Sequence, residues 1–188
     1  MNVYDFDNTI YKGESTLDFF FFCQKRHFSV IKYILPVIKT LILYKACKIT
    51  TDELYLLCEK YMKDFLTHIK NPKKYVKEFW DKNECKIKSF YLKQQKEDDV
   101  IISASCSILL EEICARLKIK HLICTTVDLE NNKIINMCHG ENKVNLFKKN
   151  FPNTEIDCFY TDSLNDLPMI KFSKKAYIVK GNKILPWK

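Results

Sequence analysis

Glycine is scarce in this 188-residue chain, and its three glycines exclude a collagen repeat or glycine-rich linkers. Arginine is scarcer still. Only Arg26 and Arg116 occur, so the net charge of +8 is almost entirely lysine. Base-reading and bidentate phosphate clamps favour arginine, so this composition argues against nucleic acid as the partner. None of the nine cysteines is spaced as C-x-x-C, which removes a locally encoded zinc site or redox dithiol. Most are expected as small core residues in a reducing cytosol. The opening MNVYDFDNTI lacks the basic-then-apolar pattern of an export signal, so a cytoplasmic location is expected. Nor is there a long uninterrupted apolar run. The most apolar stretch, Val30 to Ile49, is broken by Lys32, Lys39, Lys45, Lys48 and Pro36 and does not make a membrane span.

What is present is enough for a folded core: 47% of the residues are hydrophobic and 29% charged. Asn2 to Phe6 reads as a short buried strand that ends in acidic residues. The pattern then turns helical for about 85 residues, with helices expected over Ser15 to Phe28, Val30 to Lys48, Thr51 to Thr67 and Pro72 to Gln95. From Asp99 a β-α-β rhythm takes over. It comprises strand Val100 to Ile102, helix Ser107 to Leu117, strand His121 to Cys124 and a hairpin over Val127 to Ile135. Helix Lys143 to Asn150, strand Ile156 to Tyr160, helix Leu167 to Phe172 and strand Ala176 to Val179 follow. The expected fold class is α/β: a Rossmann-like core built on a parallel sheet (residues 1–12 and 99–188), interrupted after its first strand by an all-helical insertion (13–98). In such a sheet, reactive groups gather at the carboxyl ends of the strands.

Four stations along the chain carry chemistry of that kind. Asp5 and Asp7 follow the first strand in Asp5-Phe6-Asp7-Asn8-Thr9. Ser103 closes the next core strand and precedes a helix, where a hydroxyl and backbone N–H groups can hold phosphate. Lys143 follows the hairpin, and Asp162 and Asp166 follow the strand Ile156 to Tyr160. An isolated D-x-D is weak, and a lone lysine is usually a solvated surface residue. The combination of acid, hydroxyl, ammonium and acid at successive strand ends is specific.

In this order the four stations resemble the haloacid dehalogenase superfamily of phosphatases, with DFDNT, SAS, Gly140-Glu141-Asn142-Lys143 and Asp162-Ser163-Leu164-Asn165-Asp166 as the motifs. The inserted helices resemble a type C1 cap, and the second and fourth motifs resemble the phosphoserine-phosphatase-like branch. The resemblance implies a Mg²⁺-dependent phosphomonoester hydrolase acting through a covalent aspartyl-phosphate. It implies Asp5 as nucleophile and metal ligand, and Asp7 as proton donor and base with its backbone carbonyl on the metal. Asp162 is then a metal ligand, and Ser103 and Lys143 hold the phosphoryl group. Asp166, Thr9 and Asn165 support the site from behind, and Glu14 lies where relatives recognise a substrate amino group, a helix-start role being its alternative. Thr161 departs from the glycine usual before the last motif.

The remaining expectation concerns substrate. From Lys12 to Asp98 there are 18 basic and 11 acidic residues, so nearly all the excess charge lies on the insertion. It suits an anionic, phosphorylated small molecule. The insertion also carries four consecutive phenylalanines, Phe19 to Phe22, and a lysine-edged apolar stretch that suits peripheral contact with a membrane. It is similar in composition to the cap of haloacid-dehalogenase-type phosphatidylglycerophosphate phosphatases. A small soluble ester is therefore the first expectation and a lipid phosphate the alternative. A phosphotransferase and a non-catalytic phosphate-binding protein are further rivals.

Overall fold

The computed structural model describes residues 1–187 except 27–30, 47, 51–52, 54–55, 58–59, 62–64, 66–68, 70 and 132. The core is a seven-stranded sheet in the order β4-β3-β2-β1-β5-β6-β7. Its strands are β1 (Asn2–Tyr4), β2 (Val100–Cys106), β3 (His121–Asp128), β4 (Lys133–Asn136), β5 (Cys158–Thr161), β6 (Lys175–Lys180) and β7 (Lys183–Pro186). The five central strands are parallel, and β4 and β7 run antiparallel at the edges. From β1 the chain builds outward to β2 and β3 on one side and later to β5 and β6 on the other. The crevice between β1 and β5 is thus a topological switch point, where ligands of open α/β sheets bind.

Side-chain alternation divides the interior into two layers. Val3, Val100 and Ile102 point to one face, where they pack with Phe147 and Met169 of the helices Glu141–Asn150 and Leu167–Phe172. Tyr4 and Ile101 point to the other, into a cluster with Leu109 and Ile113 of the helix Ser107–Arg116. That second cluster continues into the insertion through Phe19 and Cys23 of α1 (Ser15–Gln24) and Phe79 and Trp80 of the helix Pro72–Asn83. The insertion is therefore welded to the core by a shared apolar layer.

The expected helix over Pro72 to Gln95 is broken. It ends at Asn83, passes through a 3-10 turn at Glu84–Lys86 and resumes at Ser89–Gln94. Long-range backbone pairing interrupts it: the amide of Lys88 donates to Ile10 O (2.7 Å) and that of Lys12 to Lys86 O (2.9 Å). Entry to and exit from the insertion thus run side by side, and Lys86 pairs with Asp18 at 2.9 Å across them. The third expected helix, Thr51 to Thr67, lies largely outside the described residues. The first two are α1 and Ile31–Lys45. Strand His121 to Cys124 extends to Asp128, beyond its expected length, and β7, which was not foreseen, joins the sheet through the Gly181-Asn182 turn. Among the described residues no helix is long and apolar enough to cross a membrane. The seven described cysteines are all free thiols.

Candidate active site

The loop after β1 is wound tightly: the amides of Ile10 and Tyr11 both turn back to the carbonyl of Phe6, each at 3.0 Å. This leaves Asp5 and Asp7 at the carboxyl edge of the sheet with Phe6 buried between them. The Asp5 amide donates to Tyr160 O of β5 at 2.8 Å, which fixes the residue over the switch point. Its Oδ1 accepts from Lys143 Nζ at 2.8 Å and its Oδ2 from the Thr9 hydroxyl at 3.3 Å.

Lys143 is 3% exposed and lies between two carboxylates, with Asp166 Oδ1 at 2.7 Å on its other side. Gly140 delivers it. With φ +54° and ψ −131°, Gly140 adopts a backbone that side chains disfavour and starts the helix Glu141–Asn150 so that Lys143 points inward. Burial opposes the charge on Lys143, and Asp5 and Asp166 together overcome it, so its pKa lies above the usual lysine value. Burial likewise pushes Asp5 up, against the downward pull of Lys143.

Thr161 accounts for its departure from glycine. Its hydroxyl donates to Asp166 Oδ2 at 2.8 Å and accepts from the Ser163 amide at 3.1 Å, holding the second carboxylate beside Lys143. Asp162 meets the Thr9 hydroxyl at 3.5 Å, so Thr9, fully buried, stands between the carboxylates of Asp5 and Asp162. Burial raises the pKa of Asp162. Asn165 is exposed, and only its amide is engaged among the hydrogen bonds described, with Ser163 Oγ at 3.1 Å. Glu14 sits at the start of α1, where its Oε1 accepts from Asn8 Nδ2 at 2.8 Å.

Asp7 faces a different set of partners. Its Oδ1 accepts from the first amide of α1, Ser15 N, at 2.7 Å, and its Oδ2 accepts from the Ser105 hydroxyl at 2.6 Å. A carboxylate at a helix N-terminus is stabilised by the dipole. Because the Ser105 proton goes to Asp7, the hydroxyls of Ser15 (3.3 Å) and Thr16 (3.0 Å) donate to Ser105. Burial pushes Asp7 up to about 6, with Ser105 and Ser15 pulling the other way.

Ser103 is buried, and its hydroxyl accepts from the Ser105 amide at 3.1 Å. Ser103 pairs with Cys124 and Cys106 with Thr125, so Ala104 and Ser105 bulge out of the β2–β3 ladder. The bulge turns Ser105 toward Asp7.

Three residues were not singled out from the sequence. Ser105 lies two residues beyond Ser103, and strand alternation was the available signal. Lys88, 7% exposed, donates from Nζ to the carbonyl of Asn8 in the loop after β1, and burial lowers its pKa while Asp162 opposes the change. Nothing local announces it, because its position depends on the pairing of Lys88 with Ile10. His139 stands just before Gly140 and meets Tyr44 of the helix Ile31–Lys45 at 3.3 Å, a contact between insertion and core.

Residues 3–171 match the haloacid dehalogenase-like hydrolase family. The chain belongs to this family. Solved structures show the same fold. A Bordetella pertussis Tohama I protein of unknown function is 15% identical with a TM-score of 0.75, over 94% of this chain and 87% of that one. A Francisella tularensis phosphoserine phosphohydrolase-like protein is 16% identical with a TM-score of 0.58, over 94% and 86%. A probable phosphoserine phosphatase from Vibrio cholerae is 10% identical with a TM-score of 0.62, over 93% and 55%. No curated protein matches the sequence. For a haloacid dehalogenase-like hydrolase, the notable feature is that acid, hydroxyl and ammonium groups from β1, β2, the helix after β4 and the loop after β5 meet along one edge of the sheet.

Proposed function

We propose that the chain hydrolyses phosphomonoesters with Mg²⁺ through a phosphoryl group carried on Asp5, and that residues 13–98 form the cap over the site. The observation that carries this reading is the buried Lys143 ammonium bonded to both Asp5 and Asp166. It holds the Asp5 carboxylate in one orientation and puts a positive charge where phosphoryl oxygens accumulate negative charge in the transition state. An oxygen of Asp5 attacks phosphorus, the bond from phosphorus to the alcohol oxygen breaks, and Asp7 donates its proton to that oxygen. Asp7, now a carboxylate, takes a proton from water. The hydroxide attacks the aspartyl-phosphate, the bond to Asp5 breaks, and inorganic phosphate leaves. Burial raises the pKa of Asp7 above the usual carboxylate value, which favours the acid form that the first half requires. Ser103 is the hydroxyl donor toward the phosphoryl oxygens.

The residues also fit a magnesium ion. Lys143 leaves the charge of Asp5, Asp166 and Asp162 incompletely balanced, and the donors are hard oxygens. Such donors suit Mg²⁺, which is commonly held by one or two carboxylates, water and substrate phosphate. Asp5, Asp162 and the carbonyl of Asp7 would hold it. Both side-chain oxygens of Asp7 accept hydrogen bonds, from Ser15 N and the Ser105 hydroxyl, so Asp7 would offer the ion its carbonyl and not its carboxylate. When bound, the ion neutralises the phosphate dianion.

Removing divalent ions with EDTA should lower phosphate release from p-nitrophenyl phosphate by at least ~100-fold, restored by Mg²⁺. Undiminished release in EDTA would overturn the metal assignment. Replacing Ser105 by alanine removes a hydrogen bond that favours the charged form of Asp7, so its pKa rises. The acid form then persists to higher pH, and the alkaline limb of kcat/KM should move up by about one pH unit. An unmoved limb would show that Asp7 is not the titrating acid.

A further inference from the structure

An apolar cavity of about 180 Å³ lies between insertion and core beside the candidate site. Thr16, Phe19 and Phe20 of α1, Val37 of the helix Ile31–Lys45, Ala104 of β2 and Met137 contribute to its lining. Among the described lining residues no side chain is charged. The cavity adjoins the reacting groups through two of its lining residues. Thr16 lines it and bonds to Ser105, which bonds to Asp7, while Ala104 sits between Ser103 and Ser105 at the end of β2. A leaving oxygen held at Asp7 would lie two side chains, Ser105 and Thr16, from this space.

Recognition of an amino-acid phosphate would call for charges that are otherwise engaged. Arg26 pairs with Glu78 at 2.9 Å, and Arg116 binds Asp81, Glu84 and Glu112 at 2.9, 3.2 and 2.8 Å. Neither arginine is offered to a substrate carboxylate. An apolar cavity of about 150 Å³ already suffices to bind a benzene-sized guest. This one is therefore large enough for a ring or a short chain.

Resting on the phosphatase reading, we propose that the cavity receives the apolar part of the substrate's alcohol, so that the preferred ester is an alkyl, branched-alkyl or aryl phosphate. Such an ester has two sources: a dissolved small molecule, or a lipid presented at a membrane. The second needs a surface, and Leu35 and Ile42 project 77% and 60% exposed from one side of the helix Ile31–Lys45, with Lys39 exposed between them.

The test is a series of linear alkyl phosphates from ethyl to octyl, with phosphoserine, assayed as kcat/KM. Burial of a methylene raises transition-state binding about fourfold, so hexyl phosphate should exceed ethyl phosphate by at least ~50-fold. Val37→Trp, which fills the cavity, should bring that ratio below about fivefold, and Phe20→Ala, which enlarges it, should move the optimum to a longer chain. These ratios compare substrates on one protein and are insensitive to its folded fraction. A plateau near six to eight carbons in free solution assigns the dissolved source. A preference for lysophosphatidic acid in phosphatidylcholine vesicles over monomeric octyl phosphate assigns the lipid source. If ethyl and hexyl phosphate are cleaved equally, or phosphoserine is cleaved fastest, the cavity proposal is overturned and the phosphatase reading stands. If no ester releases phosphate, both fall.

Discussion

Asp5→Asn should abolish phosphate release, by at least ~10⁴-fold in kcat, while leaving the protein folded and no less stable. The substitution is nearly isosteric, and an amide oxygen can still accept the Lys143 hydrogen bond that Oδ1 takes at 2.8 Å. What is lost is the nucleophile. The electrostatic consequence runs in favour of the fold. In the native protein one buried ammonium faces two carboxylates, Asp5 at 2.8 Å and Asp166 at 2.7 Å, and burial opposes ionisation of Asp5. With asparagine in its place, Lys143 and Asp166 become a balanced pair. Thermal unfolding is therefore expected at or above the native temperature, the pattern of a site that gives up stability for function. A variant that lost activity together with its cooperative transition would indicate a structural role for Asp5 instead.

The second large effect is on stability. Trp80→Ala should destabilise the protein by about 3–5 kcal/mol and lower its melting temperature by about 10 °C. Trp80 is fully buried at the seam between insertion and core. Its ring meets Phe6, Tyr11 and Phe79 edge-on at 6.0, 5.4 and 4.8 Å, and its indole N–H donates to Leu109 O at 2.7 Å. Deleting it opens a cavity against Phe6, the residue between Asp5 and Asp7. Trp80→Phe keeps most of the apolar contact but drops the hydrogen bond, and should cost about 1 kcal/mol. Calorimetry of the two variants separates packing from hydrogen bonding. Equal, small losses in both would mean that insertion and core are not coupled through this ring.

Much of this was legible in the chain because its signals are local. The acidic residues after a short apolar run and the Ser103 hydroxyl at a strand end are each written within a few residues. So are the period-two and helical patterns that gave the β-α-β order, whereas Lys143 stands out only through the resemblance of the four motifs together. What escaped depends on partners far away in sequence. The break at Glu84 to Lys88 exists because Ile10 and Lys12 pair with that segment, and the same pairing brings Lys88 to the loop after β1. Ser105 turns to Asp7 because a bulge in β2 aims it there. Thr161 read as a departure from pattern and proved to be the donor that holds Asp166. The apolar cavity could not be read at all. Its wall is assembled from α1, the helix Ile31–Lys45 and the ends of β2 and β3, and no single stretch of sequence shows that these enclose a space.

The central claim is that phosphate passes through a covalent bond to Asp5, and trapping that bond tests it most directly. Enzyme mixed with a radiolabelled phosphomonoester and quenched in acid should carry a hydroxylamine-labile phosphoryl group. Peptide mapping should place it on the segment containing Asp5, and Asp5→Asn should remain unlabelled. Sustained turnover with no labelled protein, or label on Ser103, Ser105 or His139 instead, would contradict the account.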